Sequence, residues 1–360
     1  CLLCSCSPEG PDKQRIRRIT RPMMGTLVEV VWRATGEGTG AEAVRSTLDG
    51  MEALSSRMSL YAPASELVEI NAAAGKAPVK VSEELLDLIE KSLTLSRMTG
   101  GAFDVTVGSV EAVWGDIQRA GGGRVPGEEA VREALDRVGY ERVRVDREMK
   151  TVFLEKEGMR LDLGGIAKGY IVDQAMAWLN SRGLRDVLIN AGGDILASGG
   201  AESPPWRIGV QDPFEKGRLL GFFSLQKGAV VTSGTYERYF EAEGRRFAHI
   251  MDPATGRPVE GLLSATVIAE ETFLADALAT AVMVKGRQEG ISMLGRFPGA
   301  RGVFVERDGT IWVAKGLKDV LELAPLPAGN AVRFYEPPGS LLLPLPQVSG
   351  SFFPGSRRWA

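Results

Sequence analysis

The stretch Leu161–Asp173, LDLGGIAKGYIVD, sets two carboxylates, a Gly-Gly pair and a lysine close together. Apolar LDL reads as a strand end, GG as a tight turn, and Ile166 to Gly183 as an amphipathic helix closed by Gly183. That order brings backbone N–H groups and Lys168 to one point, at a helix start that favours anions. A phosphate fits there. So does a plain strand–turn–helix connection with a surface lysine, and spacing alone leaves both readings open.

Four further constellations bear on the choice. Thr99–Val107, TGGAFDVTV, reads as a glycine C-cap leading into a strand, with Phe103 either stacking on a ring or packing. In Asn190–Gly199, NAGGDILASG, Gly192 and Gly193 permit close backbone approach and Asp194 points into the same space. TSGTYERYF at Thr232–Phe240 is followed by RFAHIMDPATGRP at Arg246–Pro258, which holds His249, the one histidine of the chain. In DALAT, Asp276 and Thr280 lie one helical turn apart and share a face. Each has an ordinary reading: a lone histidine is often structural, DPATG is a good β-turn in any protein, and an Asp–Thr pair can be solvated. Together they offer hard oxygen ligands of the kind that suit Mg²⁺, beside a lysine that suits phosphate. The chemistry sketched is that of a phosphoanhydride site. No Cys or His cluster supports zinc or iron–sulfur chemistry.

These residues need a scaffold, and 360 residues supply ample core. A net charge of -3 argues against a nucleic-acid binder, and no run approaches the roughly 20 apolar residues of a membrane span. Strands are expected at 25–32, 187–190, 206–211, 219–225, 229–233, 246–251 and 263–269, with hairpins at 142–157 and 302–314. Helices are expected at 41–58, 82–98 with Ser82 as N-cap, 273–285 and 288–296, and a loop at 121–127. Mixed strand and helix runs predict an α+β fold: mixed, largely antiparallel sheets packed with helices. All three cysteines fall in CLLCSC, where Leu3-Cys4-Ser5-Cys6 resembles a lipoprotein cleavage box. On that reading Cys6 (alternatively Cys1) carries a lipid, residues 1–21 are signal remnant and tether, 22–324 form the domain, and 325–360 are an irregular extension.

The ordered motifs PMMGT, MSLYAPASELVEIN, TGGAFDVTVG, LDLGGIAKGYIVD, NAGGDI, TSGTYERYF, HIMDPATGRPV and ADALATA span about residues 22–315. In this order they resemble the ApbE family of flavin transferases, which use FAD as donor of an FMN group. The resemblance implies FAD contacts at Met24, Tyr61, Ala102, Phe103, Asp104, Asp162, Lys168, His249 and Ile250. It implies Mg²⁺ ligands at Asp276, Thr280 and the Gly165 carbonyl. The reaction expected is attack of an acceptor threonine on the FMN phosphorus with AMP leaving, with His249 or Asp276 as the base. The implied acceptor is a flavoprotein subunit of an extracytoplasmic redox complex, the implied location the periplasmic side of the inner membrane through the lipid. Alternatives are FAD pyrophosphatase activity, against which Tyr61 leans, and an FAD-binding lipoprotein without chemistry. Asp173, past the first helical turn, reads as structural.

Overall fold

The computed structural model describes residues 15–34, 40–119, 124–200, 202–236, 239–326, 330–336 and 338. The lipid-tether reading at Cys1 and Cys6, the start of the 121–127 loop and most of the C-terminal extension lie outside them. The described chain runs through β1 (Arg15–Met23), β2 (Thr26–Ala34), α1 (Ala41–Met58), α2 (Glu66–Ala72), β3 (Val79–Lys80) and α3 (Glu83–Thr99). Next come α4 (Gly108–Arg119), α5 (Glu128–Leu135), β4 (Val143–Asp146), β5 (Thr151–Leu154), α6 (Ala167–Ser181), β6 (Val187–Ala191) and β7 (Asp194–Ser198). β8 (Trp206–Gln211), β9 (Leu219–Leu225), β10 (Gly228–Gly234), β11 (Tyr239–Ala242) and β12 (Arg245–Ala248) follow. The rest are β13 (Met251–Asp252), β14 (Arg257–Pro258), β15 (Leu262–Ala269), α7 (Thr272–Leu294), β16 (Arg301–Glu306), β17 (Thr310–Ala314), β18 (Leu321–Leu323) and β19 (Ala331–Tyr335).

A nine-stranded sheet, ordered β1-β2-β6-β7-β10-β15-β16-β17-β19, forms the scaffold, and only the β17–β19 pair is parallel. The fold is thus α+β with largely antiparallel sheets, as expected. β15 is buried along nearly its whole length, which marks a strand covered on both faces. α6 and α7 lie across β7, β10 and β15, and α1 packs beside α6. From Phe273 to Ala279 every residue of α7 is buried, the signature of a helix enclosed on all sides. Residues 331–335, in the stretch expected to be irregular, form an edge strand whose Tyr335 stacks on Phe304 at 5.5 Å.

Several local expectations are corrected. Leu161–Leu163 is not a strand: the Asn71 side chain stands in for a neighbouring strand, donating to Leu161 O at 3.0 Å and accepting from Leu161 N at 2.7 Å. TGGAFDVTV does cap α3 through Gly100 (φ 65), but bends then lead into α4 with one bridge from Val107 to Arg160. The strand expected at 246–251 breaks at His249-Ile250 into β12 and β13. The two helices expected at 273–296 are halves of α7, divided at Gly286 (φ 69). β1, α2, α4 and α5 add elements that the sequence reading did not name.

Asp173 is structural, but through another helix. Its two carboxylate oxygens accept the N–H groups of Thr272 and Phe273, each at 2.9 Å, so a residue of α6 caps α7. Burial pushes its carboxyl from 3.8 up to about 7 against these two bonds. Between those values the folded chain keeps a proton that the unfolded chain has released. Stability therefore falls as pH rises through that window. Asp173→Ala is expected to cost about 1–2 kcal/mol in chemical denaturation at neutral pH. It should also flatten the slope of unfolding free energy against pH between about 4 and 7.

Candidate active site

The site is built on the antiparallel contact of α6 and α7. Residues of α6 one turn apart meet residues of α7 one turn apart: Asp173 faces Thr272 and Phe273, and Gly169 N–H donates to the Asp276 carboxylate at 3.3 Å. Just before α6, Gly165 faces Thr280. Gly169 permits this approach, since a methyl group there would fall 2.6 Å from Thr272 O and 2.7 Å from Phe273 Cα. Glycine is chosen for its lack of a side chain; the cost it carries in a helix is offset by the packing of two helices.

At the start of α6 the Lys168 ammonium is hydrogen-bonded to the Asp194 carboxylate and stands 3.9 Å from that of Asp276. Both aspartates are 3% exposed, so two buried carboxylates face one ammonium. Burial, then the charge of Asp194, raises the Asp276 carboxyl; Lys168 and the Gly169 N–H act against them without cancelling the rise. Such a site has negative charge to spare and attracts a further cation. Thr280 brings its hydroxyl within 3.2 Å of where a Gly165 side chain would begin, and Phe103 closes the same spot at 3.4 Å. Asp276 carboxylate, Thr280 hydroxyl and Gly165 main chain form an all-oxygen set that fits Mg²⁺.

The other expected residues surround this centre to differing degrees. Phe103 is buried against it, and Ala102 beside it in the chain is buried too. Asp104 has its carboxylate engaged elsewhere, accepting from Thr106 N (2.8 Å), the Thr106 hydroxyl (2.7 Å) and Tyr140 N (3.2 Å). Burial raises its carboxyl all the same. Asp162 folds back on its own turn, Oδ1 accepting Gly164 N–H at 2.6 Å. Met24 and Gly25 form the two-residue turn between β1 and β2, both with positive φ (53 and 68). A methionine there is strained, and strain of this kind gathers at functional sites. Thr26 in turn presses on Gly192, whose missing side chain would lie 2.3 Å from the Thr26 hydroxyl.

Strand register puts the turn Met24-Gly25, the turn Gly192-Gly193 with Asp194, and the end of β10 at one end of the sheet. The segment 235–261 leaves β10 and returns to β15 at this same end, carrying His249 and Ile250. Ile250 is buried and His249 exposed. Tyr61, just past the end of α1, is 95% exposed, and its N–H donates to the Ser59 hydroxyl at 3.1 Å. A cavity of about 630 Å³ opens along this segment and one turn beyond Thr280 on α7, between Trp114, Phe247, Arg245, Arg257, Met283 and Lys285. Sequence reasoning missed Gly169 and Asn71; the signal for Gly169 was a glycine inside an otherwise good helix.

The ApbE family model matches residues 24–304. The chain belongs to the ApbE family. An FAD:protein FMN transferase of Treponema pallidum (strain Nichols) is 34% identical over 342 residues, 89% of this chain and 92% of its own. One from Klebsiella pneumoniae (strain 342) is 35% identical over 272 residues, 74% of this chain and 83% of its own. The crystal structure of the ApbE protein of Thermotoga maritima superposes with a TM-score of 0.77 at 34% identity, over 85% of this chain and 99% of its own. The flavin transferase ApbE of Vibrio cholerae does so at 0.73 and 26% identity, over 86% and 97%. The residues matched by the family model, 24–304, include α6 and α7.

Removing the ammonium should expose the balance of charge at this ApbE centre. Lys168→Met is expected to destabilise the ligand-free protein by about 3 kcal/mol, because it strands two buried carboxylates. Adding Asp194→Asn to that variant should restore most of the loss in the same denaturant titration.

Proposed function

We propose that the protein transfers an FMN group from FAD to a hydroxyl of an acceptor protein, a threonine, releasing AMP. The observation that carries this reading is Lys168 held between Asp194 and Asp276 at the start of α6, in an ApbE chain whose curated relatives are FAD:protein FMN transferases. Lys168 at the helix start supplies the positive charge that a pyrophosphate would meet, and its hydrogen bond to Asp194 supports that role by holding the ammonium there. The N-terminal turn of α6 adds its dipole to the same point. Asp276, Thr280 and the Gly165 carbonyl are the residues that would hold Mg²⁺. Bound there, the ion would add positive charge on the phosphoanhydride and favour AMP as leaving group.

Of the two candidate bases, His249 suits the task better. It is exposed at the sheet end where an acceptor must approach, and an imidazole exchanges protons near neutral pH. Asp276 is buried, bonded to the Gly169 N–H and close to Lys168, and is better suited to holding a cation than to collecting a proton. Phe103 walls the centre beside the buried Ala102, and the strained Met24 turn borders it, as flavin contacts would. We extend the proposal to location. The cysteines of CLLCSC and the polar stretch after them support a lipid anchor at Cys6 (alternatively Cys1) and an extracytoplasmic redox protein as acceptor. Among the described residues no helix is long and apolar enough to cross a membrane.

The test is incubation with FAD, Mg²⁺ and an acceptor fragment, following AMP release and flavin fluorescence of the acceptor in a denaturing gel. AMP with a fluorescent acceptor is the expected outcome; AMP with free FMN would make the protein a pyrophosphatase, and no AMP would leave a binding protein. Asp276→Asn should lower the Mg²⁺-dependent rate by more than the roughly 100-fold that loss of an outer partner costs a metal site. His249→Ala should lower kcat by about 10²–10⁴-fold at neutral pH. Mass spectrometry of the mature N-terminus in the native host should find the lipid.

A further inference from the structure

The turn that presents Asp162 is gripped from one side by the start of α4. Gly108 lies so close that a side chain there would fall 2.8 Å from Arg160 O and 3.2 Å from Asp162 N. Ser109 accepts Arg160 N–H at 3.1 Å, and Asp162 N–H donates to Val105 O at 2.8 Å. This grip fixes the backbone of Asp162. Oδ1 of the side chain takes the Gly164 N–H, and Glu111, one helical turn on from Gly108 in the first turn of α4, brings its carboxyl to the same carboxylate.

Two carboxyl groups can share a hydrogen bond only when one of them holds a proton. Burial, then the Asp162 charge, pushes the Glu111 carboxyl well above its ordinary range, so Glu111 is the partner that keeps the proton. Asp162 is the charged group that acts on it. Arg160, from the same crossing segment, is exposed. The elements packed on α4 turn their charges to solvent: Glu128, Glu129, Arg132 and Glu133 on α5 and Glu241 on β11 are exposed, with Arg132 paired to Glu129 and Glu241 to Arg246.

We propose that Glu111 is a positioning residue of the flavin site: its carboxyl group donates a hydrogen bond to Asp162 and holds that carboxylate in place for the ligand. The pair also carries one negative charge rather than two beside a dianionic pyrophosphate, which eases its binding. The inference rests on the reading of this turn as part of an FAD site, and concerns a residue that acts through Asp162.

Equilibrium binding of FAD, followed by quenching of flavin fluorescence without turnover, tests it across a pH series. The variants are Glu111→Gln, Glu111→Ala, Glu111→Leu and Asp162→Ala, each checked for an unchanged thermal midpoint. Glu111→Ala and Glu111→Leu are expected to weaken FAD by about tenfold at neutral pH. Glu111→Gln, whose amide still donates but has no proton to lose, should bind like the unaltered protein there. As pH rises the unaltered protein should lose affinity once Glu111 ionises, and Glu111→Gln should keep it. The proposal is overturned if Asp162→Ala weakens FAD while Glu111→Ala and Glu111→Leu do not. It is equally overturned if Glu111→Gln and the unaltered protein share one pH profile. Should Asp162→Ala itself bind FAD normally, it is the flavin reading of this turn that falls.

Discussion

The close approach of α6 to α7 governs this molecule. Gly169 lets the two helix backbones touch, and the contacts of Lys168 with Asp276 and of Gly165 with Thr280 are set by the register that results. One turn toward the sheet's far end, Asp173 caps α7; one turn the other way, Gly165 meets Thr280. A shift of a single residue would part Lys168 from Asp276 and Gly165 from Thr280 together. The packing of α7 on β10 and β15, and of α6 on β6 and β7, opposes that shift, because the enclosed α7 has no face to rotate into solvent.

Charge is the second constraint. Proteins seldom bury carboxylates without partners, and here Asp194 and Asp276 share one ammonium. Asp173 and Glu111 show the same economy by other means. Asp173 meets two helix N–H groups while burial raises its carboxyl, and the Glu111 carboxyl is raised by burial and by the charge of Asp162.

Much of this was legible in the sequence, and the parts that were not have physical reasons. α1, β8 and β9 match their expected bounds because strong apolar periodicity and flanking turn residues fix them locally. Asp276 and Thr280 share a face by helical spacing alone, and Lys168 stands at a helix start as LDLGGIAKG indicated. Leu161–Leu163 looked like a strand and is not one, because its bonding partner is the side chain of Asn71, ninety residues away. The engagement of Asp104 with Thr106 and Tyr140, and the capping of α7 by Asp173, are likewise long-range or turn-specific choices that no local pattern encodes. Glu111 falls on a helix that the reading missed altogether, so its meeting with Asp162 had no local signal.

The segment 235–261 shows how unevenly the centre is anchored. Lys168, Asp276 and Thr280 stand on α6 and α7, whose apolar residues pack in the main core, whereas Phe240, Ala242, Phe247 and Met251 pack in a separate small cluster with Trp114. A cluster of so few apolar groups opens at a lower free energy than the core does. The small cluster can therefore open while the α6–α7 frame stays shut, and His249 stands at the seam, because its neighbours Ala248 and Ile250 pack in the main core and Met251 in the small one. The half that grips is built into the fold, and the histidine rides where the fold meets a unit with a stability of its own.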